Sequence, residues 1–231
     1  MPTQPLLLLL LVCAIGLGLA TVLGWGFAEV YEAVTDGNGI AGFDRPVLEA
    51  MVASRTPAMA TAVTWFTMTA GQIAMPIWAT VVALICVRLA KRWTPLILTL
   101  VAGGGSLVLT ILLKRLAGRD RPPLAEAVPP YESSASFPSG HSLNALVVVG
   151  ILIYCLLRVQ RRQWERVLTA VGGGTYIACI GLSRVYLGHH WLSDVIGAWL
   201  LGLSWLAVVV VGHRVARAYS RSRHPAVAAR V

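Results

Sequence analysis

Eight residues in three short stretches have the types and spacing to do chemistry. The first stretch runs Lys114-Arg-Leu-Ala-Gly-Arg-Asp-Arg121-Pro122. The second runs Ser136-Phe-Pro-Ser139-Gly140-His141-Ser142. The third runs Ser183-Arg184-Val-Tyr-Leu-Gly-His189-His190-Trp-Leu-Ser-Asp194. His190 and Asp194 are four residues apart, the spacing that places two side chains on one face of a helix. A carboxylate there can accept a hydrogen bond from one imidazole nitrogen. The tautomer is then fixed, and the other nitrogen keeps its lone pair, which is how a histidine nucleophile is made. His141 follows a Pro-Ser-Gly turn at the start of an apolar run. A glycine at such a helix start lets backbone N–H groups approach an anion closely. Lys114, Arg121 and Arg184 add three fixed cations. Phosphoryl transfer spreads negative charge over the equatorial oxygens of its transition state, and cations and N–H donors aimed there stabilise it.

Each of these residues also has a bland explanation. A lone Lys or Arg beside an apolar run is usually an anchor that snorkels to the membrane interface. Arg115 and Arg119 are read that way here. Asp194 by itself could simply cap a helix, and a lone interfacial histidine is usually structural. His189 falls out of register with the other groups and is given no chemical role. The bland explanations fail jointly, because they require unrelated polar clusters in all three stretches.

The elements that position these residues are apolar helices. Of the 231 residues, 57% are hydrophobic and 13% charged. Soluble domains carry about 25% charged residues. The mean hydropathy of +0.72 is too high for a water-soluble globule. Disorder, collagen-like repeats and coiled coil are excluded as well, since glycine has no period and no charged heptad seam appears. The expectation is one membrane-embedded, all-α domain over 1–231, with spans near 6–28, 60–88, 93–115, 141–158, 166–184 and 192–213. Met1 to Pro5 carries no Lys or Arg, so the first run reads as a retained helix rather than a signal peptide. Asp44 to Ser54 reads as a short amphipathic helix on the membrane surface after the first span. The second run is longer than one span needs, so Gly71 and Pro76 are expected to bend it or its first turns to project from the bilayer. The glycine triplets at 103–105 and 172–174 suit close helix packing. Cys13, Cys86, Cys155 and Cys179 all lie in apolar runs, which favours buried thiols over disulfides or a zinc site. Phe137 and Trp191 flank the two histidines and read as interfacial aromatic anchors.

Charge sets an orientation. Twelve of the 19 basic residues fall in the loops at 88–92 and 158–166 and in the tail from Arg214 to Arg230, beside one acid, Glu165. The positive-inside rule therefore places both termini in the cytoplasm and the three polar stretches on the opposite face. The net charge of +9 is thus assigned to membrane topology, and no nucleic-acid partner is expected.

Lys114 with Arg121-Pro122, then Pro138-Ser139-Gly140-His141, then Ser183-Arg184 with His190 and Asp194, resembles the three-part signature of the type 2 phosphatidic acid phosphatase superfamily, in its integral-membrane branch. Order and spacing match in all three parts. The resemblance implies that His190 is a nucleophile forming a phosphohistidine and that Asp194 orients it. His141 would protonate the leaving alkoxide and then activate water. Lys114, Arg121, Ser139, Gly140 and Arg184 would bind the phosphate, with no metal and no cofactor. The implied activity is that of a lipid phosphate or diphosphate phosphatase in the plasma membrane. Its partners would be membrane lipids and a lipid phosphate substrate, and no oligomeric state follows. Phosphatidic acid, phosphatidylglycerol phosphate and polyprenyl diphosphate all fit. A lipid or small-molecule transporter or flippase is the competing class. Against it, the ionisable residues gather at one membrane face rather than at the midplane, and no inverted repeat is visible.

Overall fold

A computed structural model describes residues 3–223, without the side chains of residues 3–6, 8 and 221–223. Met1 and Pro2 of the charge-free start and Arg230 of the basic tail lie outside the described residues. Eight α-helices follow one another, and no strand occurs among the described residues. They are α1 (Thr3–Asp36), α2 (Asp44–Ala53), α3 (Pro57–Met68), α4 (Ala74–Ala90), α5 (Thr94–Ala117), α6 (Gly140–Leu157), α7 (Gln163–Tyr186) and α8 (Leu192–Arg223). Short 3₁₀ turns occupy Gly39–Phe43 and Leu124–Glu126.

Helix α6 is the hub. It packs against α4, α5, α7 and α8, and buries Leu143, Ala145, Val147, Ile151, Leu152 and Cys155. Helix α1 lies along α8 at the edge of the bundle. One glycine of each triplet makes the expected close approach. Gly105 faces the indole of Trp205, and Gly173 faces Ile153, where an added Cβ would collide. The Trp205 indole N–H donates to the Ala102 carbonyl at 3.0 Å, fixing the ring in that notch. On the outside, Leu10, Ile15, Val22, Ile97, Leu100 and Val108 are exposed, as lipid-facing side chains are.

Four helices contain segments long and apolar enough to cross a membrane: Leu9–Asp36, Thr94–Ala117, Gly140–Leu157 and Leu192–Ser220. These match the first, third, fourth and sixth expected spans. The run at 60–88 is divided. Helix α3 ends at Met68, a turn follows, and α4 restarts at Ala74. Gly71 donates to the Met68 carbonyl in that turn, at 2.9 Å. Pro76 is the third residue of α4, where its missing N–H has no helical partner to lose. Helix α4 is apolar but only 17 residues long. Helix α7 has 24 residues, with Glu165 and Arg166 near one end and Arg184 near the other.

The short helix after the first span is present, as α2. Its apolar face does more than rest on lipid. Leu48 is fully buried, Asp44 is buried beside it, and α2 packs against α7 and α8. Phe137 is not an interfacial anchor. Phe137 is fully buried and stacks on Phe27 of α1, with Tyr31 alongside, so it is a packing residue. All four cysteines are free thiols, two of them buried.

Candidate active site

The eight residues singled out by spacing come from four places that meet at one end of the bundle. Lys114 is in the last turn of α5, and Arg121 lies in the loop that follows. Ser139, Gly140 and His141 form the start of α6. Arg184 is in the last turn of α7, and Asp194 in the first turn of α8. Ser139 caps α6 by accepting from the Ser142 N–H, and its own N–H donates to the Asp194 carbonyl at 3.1 Å. That last bond ties the starts of α6 and α8 together. A Cβ on Gly140 would press on Thr110 of α5, so only glycine permits this approach without a shift.

His190 is not on the helix with Asp194. It sits in the turn before α8, where its N–H donates to the Arg184 carbonyl at 3.2 Å. The pair still forms, because Asp194 reaches back: Oδ2 lies 3.1 Å from His190 Nδ1. The same oxygen accepts from the Trp191 N–H at 2.9 Å and from the Ser136 hydroxyl. Asp194 therefore caps α8 in the manner of a capping-box acid while also orienting the imidazole. With Nδ1 donating to Asp194, Nε2 is the unprotonated nitrogen, and it accepts from Arg121 Nη1 at 3.3 Å. Burial, then the charges of Arg121, Arg184 and Lys114, push the His190 pKa well below its ordinary value, so the ring is neutral and its lone pair is available.

Arg119 is the clearest departure from expectation. It is not a snorkelling anchor. Its guanidinium is clamped between two buried carboxylates, with Nη1 on Asp194 Oδ1 at 2.6 Å and Nη2 on Asp44 Oδ2 at 2.7 Å. Asp44 in turn accepts from the Ser193 N–H at 2.8 Å and from the Ser193 hydroxyl at 2.6 Å. The Trp191 ring lies under the Arg119 guanidinium, and its indole N–H donates to the Asp120 carbonyl at 2.9 Å. A line of charge thus runs from α2 through Arg119 to Asp194 and His190.

The second feature that spacing did not reveal is Glu132. It stands in the loop between α5 and α6, with its carboxylate at the convergence of the cations. Arg121 Nη2 donates to Oε2 at 2.7 Å, and Arg184 Nη2 donates to Oε1. His141 Nδ1 lies 3.9 Å from one carboxylate oxygen and His190 Nε2 4.0 Å from the other. Burial works to raise the Glu132 pKa, but the charges of Arg184 and Arg121 outweigh it and hold the pKa at about 2. Arg184 is 2% exposed, and its Nε has no hydrogen-bond partner. A buried guanidinium with an unused donor beside an acidic guest is suited to an anion with more oxygens than a carboxylate has. Lys114 Nζ turns to the Ala135 carbonyl and to Ser134 Oγ, the latter at 3.3 Å. His189 ties down the loop, with its Nε2 2.6 Å from the Val128 carbonyl. Burial and the charge of Arg184 push its pKa down to about 4, which keeps it neutral and out of proton transfer near neutral pH. Among the described residues, no three of His, Cys, Asp and Glu are grouped to hold a metal.

Membrane-length helices joined around a buried His–Asp pair and cations that close on one carboxylate mark a multi-pass membrane protein. The family model of the PAP2 superfamily matches residues 92–217, and the chain belongs to that superfamily. Among curated relatives, it is 40% identical over 114 residues to phosphatidylglycerophosphatase B of Bacillus subtilis, covering 49% of this chain and 55% of that one. It is 30% identical over 106 residues to undecaprenyl-diphosphatase BcrC of the same organism, covering 45% and 50%. A match to undecaprenyl-diphosphatase of Sulfolobus acidocaldarius is 37% identical over 82 residues, covering 36% of this chain and 35% of that one. The chain thus spans about half or less of the length of these curated relatives. The crystal structure of a transmembrane PAP2-type phosphatidylglycerolphosphate phosphatase from Bacillus subtilis superposes with a TM-score of 0.76 at 28% identity, covering 82% of this chain and 93% of that one.

Proposed function

We propose that this chain is a lipid phosphate or diphosphate phosphatase that works through a phosphohistidine on His190. One observation carries the reading. A neutral, buried His190 has Nδ1 3.1 Å from a carboxylate oxygen of Asp194, and its Nε2 faces the same carboxylate guest that Arg121 and Arg184 hold. A phosphate in place of that guest would meet a nucleophile and two guanidinium groups at once. Nε2 attacks phosphorus while Asp194 stabilises the imidazolium that forms. Lys114, Arg121 and Arg184, with the Ser139 hydroxyl and the backbone N–H of Gly140, take the charge on the equatorial oxygens. The bond from phosphorus to the lipid oxygen breaks, and His141 supplies that oxygen's proton. His141 then removes a proton from water, which attacks the phosphohistidine and releases orthophosphate. No step calls on a metal ion or an organic cofactor.

The relatives' names support a lipid substrate, and the exposed apolar helices supply the medium it would come from. Phosphatidylglycerol phosphate, phosphatidic acid and polyprenyl diphosphate remain the candidate class. In this reading the chain is a single domain with six spans, in which α4, preceded by α3, and α7 cross the membrane beside the four helices that are both long and apolar enough to do so. With the basic loops in the cytoplasm, the site opens on the extracytoplasmic face. There it would serve a carrier lipid whose phosphates end outside after export. Phosphate release from each lipid by the purified protein tests the reading and ranks the substrates. His190→Ala should abolish release while leaving a folded, membrane-inserted protein. Residual turnover within tenfold of wild type would move the nucleophile elsewhere. A transporter would release no phosphate from any of these lipids.

A further inference from the structure

Glu132 occupies the place that the proposed function gives to the substrate's phosphate, and the loop that carries it is held in a particular way. Its two ends are fixed to the fold. Val128 donates to the Leu187 carbonyl at 2.9 Å and accepts from His189, while the Ser136 N–H donates to the Arg119 carbonyl at 2.8 Å. Just upstream, Arg55 grips the Glu126 and Tyr186 carbonyls at 2.5 and 2.6 Å. Between these anchors lie residues 129–135. Every hydrogen bond described for them goes to Lys114, Arg121 or Arg184: Glu132 to the two arginines, Ser134 and Ala135 to Arg121 and Lys114. Tyr131, Ser133 and Ser134 are exposed. Among the described residues, the hydrogen bonds that attach the segment to the rest of the protein therefore all come from the same cations a phosphate would use.

We propose that Glu132 is a built-in competitor that makes the site selective for dianionic, terminal phosphates over phosphodiester lipids. The inference rests on the pocket being a phosphate site. The physical basis is a difference in charge and in oxygen count. A carboxylate offers one negative charge and two oxygens. A phosphomonoester near neutral pH carries about −1.5 to −2 and three terminal oxygens. It can satisfy Arg121, Arg184 and the unused Arg184 Nε together, so it displaces Glu132, and residues 129–135 swing out between their fixed ends. A phosphodiester headgroup has one charge and two free oxygens. It gains nothing over the resident carboxylate, so the bulk lipids that surround the protein do not occupy the site. Glu132 acts on specificity through this exchange and takes no part in bond making or breaking.

The test uses the purified full chain in detergent micelles, with Glu132→Gln and Glu132→Asp. Binding of inorganic phosphate is measured by calorimetry, and inhibition of turnover by added phosphatidylglycerol is measured alongside. If Glu132 holds the pocket roughly nine-tenths of the time, its removal should tighten phosphate binding about tenfold, because apparent affinity scales with the competent fraction. Inhibition by phosphatidylglycerol, negligible in wild type, should become measurable in Glu132→Gln, and kcat/KM should rise. Glu132→Asp keeps the charge but is one methylene shorter, so it cannot bridge both arginines from the same backbone, and a smaller gain is expected. It also provides the measurement should Glu132→Gln fail to fold. Unchanged or weaker phosphate binding in the variants, with phosphatidylglycerol still inert, would overturn the proposal and leave the phosphatase reading standing. If neither wild type nor variants bind phosphate, both fall. A fall in kcat at constant KM would instead make Glu132 a participant in the chemistry and would also overturn it.

Discussion

Arg119 gives the sharpest test of how the site is held. Arg119→Ala removes a guanidinium that bonds Asp194 at 2.6 Å and Asp44 at 2.7 Å, with its own side chain only 16% exposed. Breaking a buried pair by deleting one partner costs about 3–5 kcal/mol when the survivor is left alone. Neither survivor is alone here. Asp194 keeps Ser136, the Trp191 N–H and His190, and Asp44 keeps both Ser193 donors. The loss of stability should therefore fall to about 2–4 kcal/mol, below the full penalty. Catalysis should suffer separately. A charge-assisted hydrogen bond is worth about 1.5–3 kcal/mol. If that share of Asp194's positioning is lost in the transition state, kcat drops about 10- to 100-fold. KM should change little, because Arg119 does not touch the pocket proposed for the phosphate. Arg119→Lys can reach one carboxylate but not both, so it should fall between wild type and Ala. Asp44→Asn leaves Asp194 its partner, so it should lower stability more than kcat. The assays are steady-state phosphate release and thermal unfolding on the same preparations. Wild-type kcat in a destabilised Arg119→Ala would refute the positioning argument. Wild-type kcat with wild-type stability would return Arg119 to the role of a surface anchor.

Three further outcomes are expected. Turnover should be indifferent to excess EDTA and inhibited by orthovanadate, whose trigonal bipyramid meets the same cations; loss in EDTA restored by a divalent ion would contradict this. Stability should fall as pH drops below about 6.5, because His189 and His190 are neutral when folded and take up protons when unfolded, and it should fall further below about 4.5 as Glu132 loses its charge in the unfolded chain first. His189→Gln should make the thermal midpoint less steep between pH 6.5 and 4, and an identical slope would count against the buried-neutral assignment. On a cysteine-free background in intact cells, Ser133→Cys should react with a membrane-impermeant maleimide and Gln163→Cys only after lysis; the reverse pattern would overturn the orientation while leaving the chemistry at His190 untouched.

What was legible in the sequence was whatever depends on local spacing. Long apolar runs mark α1, α5, α6 and α8, since burying a helix in lipid needs only length and composition. The break between α3 and α4 is written in Gly71 and Pro76, although an uncharged run across them looks like one long span. The small residues at Gly105 and Gly173 correctly foretell close helix approach, but not that Trp205 fills one notch and Ile153 the other. Phe137 was misplaced because an aromatic beside a polar loop looks the same whether it meets lipid or, as here, Phe27 of a helix more than a hundred residues away.

The site divides along the same line. The eight residues read from spacing are helix ends and the turns that join them, so chain order alone brings them to one face. Asp44, Arg119 and Glu132 belong to no such pattern. Asp44 sits on a short helix that looks merely amphipathic, and its partners Arg119 and Ser193 are 75 and 149 positions away. Arg119 is one of three arginines within seven residues, and composition cannot tell the clamped one from the exposed Arg115 or from Arg121 in the pocket. Glu132 is one of three acids in the polar loop between α5 and α6, with Asp120 and Glu126, and sequence rules count such acids as solvated. Its burial follows from the cations, not from its neighbours in the chain. Positive charges gathered in one pocket repel one another and are costly to desolvate without an anion among them. A site this rich in buried cations needs a counter-charge before substrate arrives, and the chain supplies one on the loop whose ends His189 and Arg119 fix.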